Sequence, residues 1–156
     1  MTDILEKLPI SARYHYVRLK YQYKKLPLIR KGGEFNGNIE FELYAFFEIC
    51  YHLKEWFRLD DTYNRFHVEE FINNSIALRI SADICNRLKH GKLTTYRSKN
   101  LGHFNLHLHI RSGTGSNKDT SALTSATIET ERGIECCYAL ADECMQEWER
   151  YIKLYF

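Results

Sequence analysis

Ala45-Phe46-Phe47-Glu48-Ile49-Cys50-Tyr51-His52-Leu53-Lys54-Glu55-Trp56 is the stretch whose periodicity decides the fold. On a helix from about Asn38 to Leu59, Leu43, Phe46, Phe47, Cys50, Leu53 and Phe57 fall on one wide stripe, and Ile49 and Trp56 on a second. A helix apolar on two sides sits centrally in a bundle or also faces a partner subunit. Its narrow polar strip holds Glu48, His52 and Glu55.

Three further helices and one hairpin flank this segment. The first helix runs from about Pro9 to Leu26, with proline suited to its first turn and Pro27 ending the pattern. Tyr14, Val17 and Tyr21 share one face, and Arg13, Arg18, Lys20, Lys24 and Lys25 occupy the others. Tyr14, Tyr16, Tyr21 and Tyr23 read as tyrosines dipping into the core, with base stacking as the functional alternative. The third helix spans about His67 to His90, turning Ile72, Ile76, Ile80, Ile84 and Leu88 inward, and Gly91 is its C-cap. Arg79, Asp83, Asn86 and His90 make an equally regular polar stripe.

From Phe104 to Ile110 the period falls to two, with Phe104, Leu106, Leu108 and Ile110 on one side and His103, Asn105, His107 and His109 on the other. A Gly/Ser-rich tip at Ser112–Lys118 and a Thr-rich return to Thr130 complete a β-hairpin over about 103–130. Gly133 closes it, and the last helix, about Ile134 to Tyr155, buries Cys137, Leu140, Cys144, Trp148, Tyr151 and Tyr155. The expected fold is mainly α: one domain over 1–156, a four-helix up-and-down bundle with a β-hairpin inserted before the last helix.

The 156 residues, 44% hydrophobic and 27% charged, suit one soluble globular domain and exclude a disordered chain. No run approaches the ~20 apolar residues of a membrane span, and the N-terminus lacks the apolar core of a signal peptide, so a cytoplasmic protein with no membrane partner is expected. Five cysteines without CxxC spacing argue against a disulfide framework or a zinc knuckle. The net charge of +2 hides alternating blocks: +6 over 1–32, −6 over 33–83, +7 over 84–118 and −5 over 119–156. Such blocks either pair within the bundle or gather cations for a polyanion.

The candidate site lies in Asp83-Ile84-Cys85-Asn86-Arg87-Leu88-Lys89-His90. Asn86 and His90 are one helical turn apart, and Asp83 is within reach of Asn86 or Arg87. Histidine exchanges protons near neutrality, while Arg87 and Lys89 suit a phosphate. The bland alternative is a last turn made basic to suit the helix dipole. Glu48 and His52, also one turn apart, face this stripe if the two helices are neighbours, building a buried polar network. His107 and His109 are a weak pair for a divalent metal, with nothing nearby to complete a zinc set. Gly113–Lys118 lacks the spacing of a P-loop, and no cofactor is expected.

The runs Ala45–Trp56 and Ala82-Asp83-Ile84-Cys85-Asn86-Arg87-Leu88-Lys89-His90 together resemble uncharacterised bacterial proteins that look like members of the HEPN superfamily of helical bundles. The resemblance covers the second and third helices. It implies a homodimer and, as in many members, a metal-independent ribonuclease of toxin or phage-defence type that acts on RNA beside an antitoxin protein. It also implies catalytic roles for Arg87 and His90 with Glu48 or Asn86 in support. From charge and position, Lys89, Lys92, Asp83 and His52 are the expected substrate contacts. Here only two residues separate Arg87 from His90, fewer than in the family's motif. Other members are non-catalytic dimerisation or binding modules, and that reading stands beside the first.

Overall fold

Leu43, Phe46, Phe47, Cys50, Leu53 and Phe57 are all buried, so the apolar stripe is the core side of a helix, Ile39–Arg58. The computed structural model describes residues 4–30, 39–59, 65–91, 96–112 and 120–156. After a 3-10 turn at Ile4–Lys7 come α1 (Ile10–Arg30), α2 (Ile39–Arg58), α3 (Arg65–Asn73) and α4 (Ile76–His90). Then β1 (Leu101–Ser112), β2 (Thr120–Thr130) and β3 (Gly133–Cys136) form a sheet before α5 (Cys137–Tyr155). The chain is thus mainly helical with a small three-stranded antiparallel sheet in the order β1-β2-β3.

The other four helices all pack against α2. Trp148 of α5, fully buried, donates its indole N–H to the Cys50 carbonyl at 3.1 Å, which ties the last helix to the central one. Phe57, Phe71 and Tyr151 surround this anchor, with ring centroids 5.0–5.7 Å apart. That spacing suits edge-to-face and offset aromatic packing.

Five sequence expectations are corrected. The single helix over His67–His90 is two, because the Ser75 hydroxyl accepts from the Leu78 N–H at 3.3 Å and caps a new start. Asn74-Ser75 is therefore a break inside an otherwise continuous apolar period, and the described residues hold five α-helices where four were expected. The break and the end of α4 also leave Ile76 and Leu88 exposed, while Ile72, Ile80 and Ile84 are buried as expected.

Pro27 does not end α1, which continues to Arg30. In the last turn its missing N–H forfeits a single helical bond, and buried Leu26 beside it holds the turn to the core. Nor do Tyr14, Val17 and Tyr21 face inward: they are 67%, 48% and 66% exposed. The core instead takes Ala12, Tyr16, Leu19 and Leu26, a second stripe of the same 3–4 spacing. Finally, Gly133 (φ 101°) opens a third strand, with Ile128 paired to Glu135, before α5 begins at Cys137.

The hairpin is present and antiparallel from Leu101↔Thr130 to Ser112↔Thr120. Its register shifts between Leu101 and Phe104, at Gly102, where an added Cβ would lie 2.8 Å from Glu129 Cβ. Leu101, Ala126 and Ile128 seat the sheet on the helices, while His103 and Asn105 point outward. His107 and His109 pair in backbone with Ser125 and Leu123, but their side chains lie outside the described residues, as does the tip at 113–119. Gly91 (φ 68°) caps α4 as expected, its N–H reaching the Arg87 carbonyl at 2.7 Å.

The Ser75 cap gives a first prediction. Ser75→Ala is expected to lower stability by about 1 kcal/mol in urea unfolding, and Ser75→Asp to retain most of it. Equal loss in both variants would mean that packing, not capping, starts α4.

Candidate functional site

Asp83 lies on the buried side of α4, 1% exposed, and its carboxylate is fully engaged. Oδ1 accepts from the Arg97 backbone N–H at 2.8 Å, and Oδ2 accepts from the Ser98 N–H at 2.8 Å and from the Ser98 hydroxyl. Four residues on, Arg87 donates Nη1–H to the Gly102 carbonyl at 2.6 Å. Both side chains therefore hold the chain as it enters β1. Asn86 is half-buried, Lys89 and His90 are exposed in the last turn, and Lys92 lies outside the described residues.

Glu48 and His52 do not meet Asp83. They line a cleft of about 270 Å³ between α1 and α2, with His15 and Arg18 opposite them and Ala45, Ile49 and Trp56 between. Three of these follow from spacing: Glu48, His52 and Trp56 lie four apart on one helix face. His15 stacks on Trp56, ring centroids 3.7 Å apart and planes 10° from parallel. Behind the cleft, His52 Nε2 sits 3.6 Å from Cys85 Sγ of α4.

Burial raises the Cys85 thiol to about 11, and the Glu48 carboxylate adds to the rise against the smaller pull of Lys89. Cys85 therefore stays protonated and is not a nucleophile. Desolvation, helped by the Arg18 charge, lowers the His15 pKa. His15 is a neutral base at pH 7, beside a fixed cation. Arg18 and Glu48 form no hydrogen bond or ion pair among the described residues, so both have capacity for a ligand.

Of the +7 block's described side chains, Arg87 and Arg97 are engaged within the fold, while Lys89 and Lys99 are exposed. Arg97 donates to Glu69 at 3.1 Å and lies over the Tyr51 ring at 5.4 Å. A larger hollow of about 390 Å³ at the start of α4 is rimmed by Arg132 and Arg150. Both guanidiniums are already matched there, to Glu135 at 2.6 Å and Glu147 at 2.8 Å. Among the described residues no three His, Cys, Asp or Glu side chains are grouped to hold a metal. Sequence reading reached Glu48 and His52 but not His15, Arg18 or Trp56. The accessible signal was the i, i+3 pair His15/Arg18 on a helix without an acid.

No family model, curated protein or solved structure matches the chain. No described helix is long and apolar enough to cross a membrane.

Two outcomes follow. Asp83→Ala, which strands two backbone N–H groups and a hydroxyl, should cost about 3 kcal/mol by chemical denaturation, with Asp83→Asn milder. In proton NMR, His15 should titrate below 6.5, and Arg18→Gln should raise its midpoint part of the way back. A His15 midpoint at or above 6.5 would contradict the desolvated cleft.

Proposed function

We propose that the protein is a metal-independent RNA-cleaving protein of HEPN-like helical type, working in the cytoplasm, with its chemistry in the α1/α2 cleft. The observation that supports this reading is the convergence of two imidazoles, one guanidinium and one carboxylate on a single hollow with an aromatic wall. Acid, base and anion-binding group are the set that transesterification of a phosphodiester requires.

In this reading Arg18 holds the scissile phosphate and Trp56 with His15 offers a stacking surface. Neutral His15 takes the proton from a ribose 2′-OH as its oxygen bonds to phosphorus. His52, on the facing helix one turn from Glu48, protonates the departing 5′-oxygen as the P–O bond breaks. The products are a 2′,3′-cyclic phosphate and a 5′-hydroxyl. Both imidazoles come from one chain, so the step needs no second copy, although the resemblance implies a homodimer. Arg87 and Asp83 act as positioning residues for β1. A toxin or defence role with an antitoxin partner rests on the resemblance alone.

The test is cleavage of a mixed RNA pool in EDTA by wild type, His15→Ala, His52→Gln, Arg18→Gln and His90→Ala, each checked by its melting curve. The expected result is cyclic phosphate ends from wild type and His90→Ala, with at least about 100-fold slower cleavage by His15→Ala and His52→Gln. Loss confined to His90→Ala would move the site to the Arg87/His90 turn. An inert wild type would favour the non-catalytic binding module.

A further inference from the structure

The face of α1 that the core leaves unused is itself regular. Ile10, Tyr14, Val17, Tyr21 and Leu28 recur at intervals of four, three, four and seven residues, with Lys24 filling the one gap. This is the a/d spacing of a helix–helix seam. The five apolar residues are 84%, 67%, 48%, 66% and 60% exposed, and they run for about 27 Å at 1.5 Å per residue. Scattered exposed apolar side chains need no explanation, but a stripe in heptad register, interrupted at a single position, marks an interaction surface.

The charges beside the seam select its occupant. Arg13, Arg18, Lys20 and Lys25 flank it, and α1 contains no acid at all. Some of this charge is used internally: Arg13 donates to the Glu6 carbonyl at 2.7 Å, and Lys25 lies 3.8 Å from Glu42. A second copy of α1 laid on the seam in either direction would set cations against cations. A nucleic acid would satisfy the cations and stack on Tyr14 and Tyr21, yet leave Ile10, Val17 and Leu28 with no apolar surface to meet.

We infer that this face of α1 docks an amphipathic helix of another protein, about five turns long, with an apolar a/d seam bordered by glutamate or aspartate. The seam supplies affinity through interdigitation, and the flanking ion pairs set the partner and speed encounter. The surface lies on the solvent side of α1, away from the core stripe; it borders the cleft, since Arg18 lines both and Tyr14 meets His15 edge-on. It is a binding site whether or not the cleft is catalytic.

The probe is a fluorescein-labelled 21-residue peptide with Leu and Ile at a and d and Glu at the flanking positions. Its control has the same composition permuted so that the seam is lost. Anisotropy with the full chain is expected to show the seamed peptide bound at least about tenfold tighter than the permuted one. Val17→Glu, a change at an exposed site, should abolish that difference, as should Tyr14→Ser combined with Tyr21→Ser, with melting temperatures unchanged. Equal binding of the two peptides overturns the proposal. So does a 21-nucleotide RNA or an anionic vesicle whose binding depends on Val17 when the peptide's does not. A dimer in light scattering that Val17→Glu dissociates assigns the face to a second copy and also overturns it.

Discussion

A carboxylate that is 1% exposed must find donors for both oxygens, and the way Asp83 finds them orders much of the surrounding structure. By accepting from the Arg97 and Ser98 backbone, it fixes the segment that links α4 to the sheet. Fixing Arg97 brings its guanidinium onto Glu69 and over Tyr51. Glu69 in turn is 3.0 Å from the Lys54 ammonium, which is nearly buried on α2 and also donates to the Tyr51 hydroxyl at 2.8 Å. Burial pushes the Glu69 carboxyl upward, but hydrogen bonds and charge from Lys54 and Arg97 outweigh it and lower its pKa. One buried anion on α4 is thereby coupled to one buried cation on α2 through a bridge that includes α3.

The same residues dock the sheet. Arg87, one turn beyond Asp83, holds the Gly102 carbonyl where the β1 register shifts, and Gly102 is required there because Glu129 crosses above it. Leu101, Ala126 and Ile128 then reach the core. Polar side chains set where the sheet enters, and apolar ones hold it down. The indole of Trp148 performs the equivalent task for α5, filling the core while satisfying a carbonyl of α2.

Elements with a single strong period were legible in the sequence. α2 begins and ends within one residue of the expected helix, and the β1/β2 hairpin falls where alternation places it. What escaped had two competing signals. α1 carries two stripes of equal spacing, and periodicity cannot tell which meets the core; the smaller residues Ala12 and Leu19 lie inward. The 65–90 segment keeps its apolar period across Ser75, so only the hydroxyl cap betrays the break. At the candidate site, Glu48 and His52 were visible as a pair because one helix holds both. Their partners His15 and Arg18 lie on another helix, and only packing brings them across.

The polar stripe on α4 shows why residue type at helical spacing is insufficient to locate chemistry. Asp83, with three donors, and Arg87, with a carbonyl acceptor 2.6 Å away, are engaged by the fold. An Asp and an Arg in such positions exert their effect through the backbone they hold, and a ligand would have to displace those bonds to reach them. Glu48 and Arg18, exposed at the cleft rim, carry no such obligation among the described residues. The stacked, desolvated His15 beside them is held in position without having its proton-exchanging nitrogens committed by any described hydrogen bond. Orientation with spare capacity is what a reacting group needs, and it separates the cleft from the better-satisfied stripe on α4.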